Sequence, residues 1–325
     1  MFMKLISMSK EFIFEEDRPF ISCHASTVLK TNDGIVLAAW FGGTKEGADD
    51  VAIWLSRRTA DGWDYPLKVA DEEGVPHWNP VLFMGMNEEI ILYYKVGHNI
   101  TRWHTRFITS NDGGLTWSAP KSLVEGDLGG RGPVKNKPIR LLDDTILAPA
   151  SIEEHSWEAF VDISYDQGQT WLQSELVPVP RHSFTGQGII QPTLWESDYG
   201  KVHMLLRSTE GYIFRSDSED GGKTWSLAYP TKLPNNNSGI DLAKLSDDKI
   251  VLAYNPVGKN WGPRTPLILS VSEDNGLTWQ ELCVLENEEG EYSYPSIVAD
   301  GNEIFLVYTW KREKIAFWRI ILNIR

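Results

Sequence analysis

Six times along the chain a short apolar run is interrupted by a polar turn and then resumes, and no helical periodicity intervenes. The paired runs span 24–40 around Asn32-Asp33-Gly34, 79–94 around Met86-Asn87-Glu88, and 137–151 around Asp143-Asp144. They continue at 191–207 around Asp198-Tyr199-Gly200, at 241–255 around Asp247-Asp248, and at 294–310 around Asp300-Gly301. Each pair reads as a β-hairpin, because Asn, Asp and Gly supply the backbone conformations that tight turns need.

A second pattern interleaves with the hairpins. The sequence Ser-x-Asp-x-Gly-x-Thr-Trp occurs at 110–117, 164–171, 218–225 and 272–279, and its aspartates at 112, 166, 220 and 274 keep a constant step of 54 residues. A worn copy, Thr59-Ala60-Asp61-Gly62-Trp63, precedes them. The Asp and Ser side chains are suited to cap local backbone N–H groups, and Gly supplies positive φ. Five hairpins are followed by such a box, so one repeat holds about four strands, which is one propeller blade. The expected fold is an all-β, six-bladed β-propeller forming a single domain over residues 1–325. The sixth unit lacks a box and ends in the apolar stretch 314–322, and the N-terminal run Glu11-Phe12-Ile13-Phe14 is expected to pair with it and close the ring.

The formal net charge of −14 argues against nucleic acid or an anionic membrane surface as partner. Cys23 and Cys283 lie too far apart in sequence to suggest a disulfide framework. No run approaches the length of a membrane span, and residues 1–10 lack the continuous apolar core of a secretory signal, so a cytoplasmic protein is expected. The seven histidines follow no metal-ligand spacing, and no cofactor motif is present; Gly129-Gly130-Arg131-Gly132-Pro133 opens no helix and reads as a rim loop.

The innermost strands of a propeller line its axis, so polar residues at the starts of the hairpins are the candidate site. These are His24; Trp78 and Asn79; Lys135 and Asn136; Gln191; Asn237 and Asp241; and Tyr292 and Tyr294. Arg58, Arg207, Arg264 and Arg312, which follow an inner hairpin or precede a box, join them. The boxes account for about a third of the fourteen tryptophans, leaving Trp78, Trp103, Trp157, Trp195 and Trp261 free to stack on sugar rings.

The boxes and hairpins together resemble the Asp-box sialidase (neuraminidase) superfamily over essentially the whole chain. The resemblance implies that Arg207 and Arg264 grip a substrate carboxylate, as arginine forks do. It implies a tyrosine nucleophile at Tyr292 or Tyr294, with Tyr292 the better match by spacing, and an acid/base aspartate in the loop Glu46-Gly47-Ala48-Asp49-Asp50. Asp50 is assigned that role, with Asp49 and Glu46 as alternatives. Two positions depart from the family pattern: His24 stands where the first arginine is expected, and Gln191 where a glutamate would take the tyrosine proton. An amide cannot accept that proton. The implied function is a sialidase-like exo-glycoside hydrolase acting on an acidic sugar. Alternatives from other classes are a carbohydrate-binding propeller without catalysis, a lyase on uronic-acid sugars using His24 and a tyrosine, and a protein-binding propeller.

Overall fold

The computed structural model, described over residues 4–127 and 129–323, contains six antiparallel sheets in ring order. Residues 1–3 and 324–325 of the expected domain, and Leu128, lie outside the described residues. Blades 1 to 6 start from the inner strands Ser22–Lys30, His77–Met84, Ile139–Arg140, Ile189–Glu196, Asp241–Lys244 and Tyr292–Asp300. Five sheets have four strands; the outer edge of blade 1 is split into Gly62–Trp63 and Leu67–Ala70, which both pair with Ala52–Thr59. Helical structure among the described residues is confined to two single 3-10 turns, Met86–Glu88 and Arg181–Ser183.

The second strand of a blade is covered on both faces by neighbouring blades, which explains its unbroken apolar runs. Ile90–Val96, Val202–Ser208 and Ile250–Tyr254 are buried at every position. The resulting core is a ring of interfaces. Leu37 and Leu92 lie in the cluster between blades 1 and 2, Leu147, Val161 and Leu206 in the one between blades 3 and 4, and Leu269 and Leu306 in the one between blades 5 and 6. At about 1.5–3 kcal/mol for each fully buried large apolar side chain, this ring of contacts dominates the cohesion of the fold.

The ring closes as the sequence predicts, with one shift. The N-terminal strand is Lys4–Phe12 and pairs antiparallel with Lys314–Asn323, placing Phe12 opposite Ala316. Ile13 and Phe14, expected to end that strand, instead leave it and bury between blades 6 and 1 beside Trp40.

The boxes are the turns after the third strand of blades 2 to 5. In each, Ser Oγ donates to one Asp oxygen at 2.8 Å and accepts from the Gly N–H, while the Asp accepts from the Thr N–H and hydroxyl. Gly114 shows why glycine is needed: φ is +83°, and a Cβ would come within 2.5 Å of Leu37 in the preceding blade. Strand register puts every box beside the first hairpin's turn, as in Ile90 opposite Ser110 and Val202 opposite Ser218. The boxes therefore occupy one face of the propeller, and the starts of the inner strands occupy the other.

Candidate functional site

At that second face one non-glycine residue at or just before each inner strand lies in the left-handed region: Ala25 (φ 54°), Asn79 (42°), Lys135 (67°), Gln191 (54°), Asn237 (61°) and Tyr294 (55°). The inner-strand register slips at the same points, between His24 and Thr27, Trp78 and Val81, Ile190 and Thr193, and Ser293 and Ser296. A left-handed L-residue costs about 1–2 kcal/mol, and six of them converge on one axis. Backbone strain of this kind clusters at functional sites, which makes this end of the fold the candidate site.

Arg207, from the end of Val202–Ser208, is the hub of this end and only 3% exposed. Its Nε donates to Asn237 Oδ1 at 2.9 Å, and its Nη1 donates to Gln191 Oε1 at 3.1 Å and to Tyr294 Oη at 2.7 Å. Its guanidinium carbon lies 5.7 Å from the Trp157 ring, 5.9 Å from Trp261 and 5.8 Å from Tyr294. Trp157 and Trp261 meet edge to face at 6.3 Å, and Trp261 is 61% exposed, so it forms the outer wall. All direct hydrogen-bond partners of Arg207 are neutral, and among the described residues it forms no ion pair.

Beside it, His24 lies against the Tyr294 ring at a centroid distance of 4.3 Å and shares a hydrogen bond of 2.9 Å between Nδ1 and Thr309 Oγ1. Burial holds this imidazole well below its ordinary pKa, and Arg312, Arg264, Arg207 and Lys135 reinforce the effect, so it is neutral near pH 7. Arg264 sits over the other part of Tyr294 at 5.4 Å and donates to Glu291 at 2.7 Å. Arg312 donates to the same Glu291 oxygen at 2.8 Å and pairs with Glu46. Burial pushes the Glu291 carboxyl up, but Arg264 and Arg312 outweigh it and hold the group below the ordinary range.

A second layer seals the axis. Asp241, fully buried, pairs with Lys137 at 2.9 Å and accepts from Thr193 Oγ1 and Ile297 N. Lys135 donates to Asn136 Oδ1 and Ile240 O at 2.8 Å and to Pro295 O, and burial lowers it to about 7. Asn136 donates to the carbonyls of Gln191 and Pro192. These groups tie blades 3, 4, 5 and 6 together below the Arg207 layer. A cavity of about 390 Å³, lined by Lys137, Arg140, Trp195 and Lys244 among others, opens at the far end of the same channel.

The remaining candidates divide clearly. Asp50 is exposed on the rim loop and accepts from Thr44 N at 2.9 Å and Thr44 Oγ1 at 2.5 Å; Asp49 lies 3.5 Å from His98, and Glu46 is tied to Arg312. Trp78 is buried, donates to Gly97 O and packs beneath Gly47 of that loop, so it supports the loop instead of facing a ligand. Asn79 is buried at its bulge. Arg58 does not join the cluster: it pairs with Glu11, and its register opposite Val36 puts it at the box face. Tyr292 also stays apart, fully buried in the apolar interface of blades 5 and 6 with Oη unpartnered. Tyr294, two residues on, takes the axial position because the bulge reverses the side-chain alternation there.

Two acidic residues at this end were missed in the sequence reading. Glu291 immediately precedes the inner strand of blade 6. Glu153, the last residue of Ile146–Glu153, lies beside Gln191. Its Oε1 is buried without a hydrogen-bond partner, and burial raises its carboxyl against the opposing effects of Arg207, the Gln191 amide and Lys95.

Residues 34–307 match the BNR repeat-like domain. Over 146 aligned residues, 39% of this chain and 35% of the relative, the sequence is 27% identical to a sialidase of Clostridium perfringens, so the match spans about a third of that protein. Among solved structures, a Dyadobacter fermentans protein of unknown function superposes with a TM-score of 0.76 at 17% identity, covering 99% of both chains. The Hadza microbial sialidase Hz136 gives 0.79 at 16% identity over 95% of this chain and 68% of that one. Trypanosoma rangeli sialidase in complex with the inhibitor DANA gives 0.76 at 13% identity over 97% and 60%. These likenesses extend the fold assignment, and with its four complete boxes and six blades the chain belongs to the BNR repeat-like domain family, within the Asp-box sialidase-like superfamily.

Proposed function

We propose that the chain is a sialidase-like exo-glycoside hydrolase whose ligand is an acidic sugar. One observation carries the reading: Arg207 is a buried guanidinium whose direct partners are all neutral. A buried charge with no anion hydrogen-bonded to it is costly, and a ligand carboxylate supplies one. Arg264 and Arg312 stand at the same end, already balanced by Glu291 and Glu46, and frame the anion without competing for the Arg207 fork. Trp157 and Trp261 offer the flat apolar faces on which sugar rings pack.

In this reading Tyr294 is the nucleophile. Arg207 Nη1 donates to its oxygen, so the cation stabilises negative charge developing there, and an uncharged phenol approaches an anionic substrate without the repulsion a carboxylate would meet. Asp50 is the acid/base on the rim loop. The relatives are in keeping with this chemistry: Trypanosoma rangeli sialidase is known with DANA and with 2,3-difluorosialic acid as a covalent intermediate.

The test is release of 4-methylumbelliferone from acidic and neutral glycosides. Cleavage of an acidic glycoside, lost in Tyr294→Phe and Asp50→Asn, is the expected result; cleavage of neutral glycosides alone overturns the reading. Gln191, an amide where a proton acceptor is wanted, favours a second reading, a sugar-binding propeller without turnover. It predicts binding of the acidic sugar and no released fluorophore.

A further inference from the structure

We infer that Lys135 is a positioning residue of this site: braced by Asn136, it crosses the axis from blade 3 and holds the bulge that presents Tyr294 to Arg207. What Tyr294 does once held rests on the hydrolase reading above. What holds it rests on the hydrogen bonds.

The pair comes from the place where blade 3 lacks a ladder. The inner strand of that blade, Ile139–Arg140, has only two residues, against eight or nine in blades 1, 2, 4 and 6. Just before it the chain turns left-handed at Lys135 (φ 67°), and Lys135 and Asn136 are buried at the axis, 3% and 1% exposed. With strand alternation broken there, two consecutive side chains both reach across the axis to other blades.

Their donors meet carbonyls that the sheets leave unpaired. The register breaks omit residues 191–192 from the pairing of blade 4 and 294–295 from that of blade 6. Asn136 Nδ2 donates to Gln191 O at 3.0 Å and to Pro192 O at 3.1 Å, and Lys135 Nζ donates to Pro295 O. Nζ also donates, at 2.8 Å each, to Asn136 Oδ1 and to the carbonyl of Ile240, which precedes the inner strand of blade 5. A lysine has donors only, so the Asn136 oxygen faces it and both amide hydrogens are left for blade 4. The ammonium has three hydrogens and meets three oxygens, so it is saturated by the fold. A buried carbonyl needs such a partner, and here one side chain supplies it to blades 5 and 6 together.

A left-handed residue other than glycine persists only where its surroundings over-determine it. For Tyr294 these are the Arg207 bond to its hydroxyl and the Lys135 bond to the carbonyl of the next residue. Gly239 adds a third constraint. A Cβ there would stand 2.9 Å from Lys135 Cε and 3.3 Å from Tyr294 Cγ and Cδ2. The Lys135 stem and the Tyr294 ring therefore pack on the same bare stretch of blade 5 backbone. The lysine that holds the bulge also borders the ring that the bulge presents.

The experiment incorporates 3-fluorotyrosine and records fluorine NMR spectra of wild type, Lys135→Met and Gly239→Ala, with the Tyr294 resonance assigned by its loss in Tyr294→Phe. Lys135→Met keeps the stem and removes the donors; Gly239→Ala keeps the donors and crowds both side chains. Thermal melting checks folding. Turnover of the acidic 4-methylumbelliferyl glycoside and calorimetric binding of N-acetylneuraminic acid read function. Both variants should shift or broaden the Tyr294 resonance and leave tyrosines outside blade 6 unmoved. Where the wild type turns over, kcat should fall about 10²-fold, the effect of a ~1 Å misplacement, with KM and affinity changed less than about threefold.

An unmoved Tyr294 resonance in a folded variant overturns the inference. So does a loss of kcat matched by an equal loss of affinity, which would mark a collapsed site and a merely structural lysine. A wild type that binds without turnover removes the hydrolase reading, and the Tyr294 resonance then decides by itself whether Lys135 holds the bulge. If Lys135→Met does not fold, Gly239→Ala decides in the same way.

Discussion

Arg207 Nη1 donates at once to Tyr294 Oη at 2.7 Å and to Gln191 Oε1 at 3.1 Å, so a single nitrogen links the inner strands of blades 6 and 4. The link depends on two left-handed residues, Gln191 and Tyr294, which turn their side chains into the axis from equivalent bulges. The fold thus delivers a phenol to a buried cation by repeating one local distortion around a ring.

Arg207→Lys keeps the charge but loses the fork, the bond to Asn237 or Gln191, and the stacked plane between Trp157 and Trp261. Affinity for an acidic sugar should fall roughly tenfold to a hundredfold, and Arg207→Met should fall further. Calorimetric titration of each variant with N-acetylneuraminic acid reads this directly.

Tyr294→Phe should abolish turnover and weaken binding only slightly. Tyr292→Phe should leave turnover unchanged and keep or raise the melting temperature, because it removes a buried hydroxyl that lacks a partner. Parallel rate and melting measurements on the two variants separate the tyrosines. A loss of turnover in Tyr292→Phe would reverse the assignment.

His24 supplies a pH signature of stability. Its folded pKa is lowered by burial from the ordinary 6.5. The unfolded chain therefore binds a proton below about 6.5 that the native state refuses, and stability falls as pH drops from 6.5. Urea midpoints of wild type and His24→Gln between pH 7 and 5 should converge as pH falls, with the shallower slope in the variant.

The boxes add a dependence of the same sign in a more acidic window. Hydrogen bonds from the Thr116 and Thr170 side chains and backbones hold Asp112 and Asp166 down at about 2, against an ordinary 3.8. Their contribution is present above about 4 and is lost as pH falls toward 2. Asp112→Asn should lower the melting temperature at pH 7 and leave sugar affinity unchanged, since the box lies on the face away from Arg207. A drop in affinity without a drop in stability would contradict this placement.

Much of this was readable in the chain. Hairpin turns and boxes are local devices, set by Asp, Gly and Ser within a few residues, so blade number and order followed from them. Asn79, Lys135, Gln191, Asn237 and Tyr294 were also legible as inner-strand polar residues, and an X-Pro step follows three of them at Pro80, Pro192 and Pro295. What escaped depends on register across strands. The bulge in Tyr292–Asp300 shifts the alternation, so spacing favoured Tyr292 over the axial Tyr294. Arg58 sits on the right blade but at the wrong end, which only pairing with Val36 reveals. Glu153 ends a second strand in an acidic Glu153-Glu154 pair, and nothing local distinguishes it from a solvated turn.

The most direct test of the account compares N-acetylneuraminic acid with its methyl ester by calorimetric titration of the wild-type chain. The two differ in the charge offered to Arg207 and in one added methyl group. The account predicts binding of the acid and roughly a hundredfold weaker binding of the ester, about 2.7 kcal/mol. Equal affinity for the two, or binding of neither beside tight binding of a neutral sugar, would contradict an anion site at Arg207.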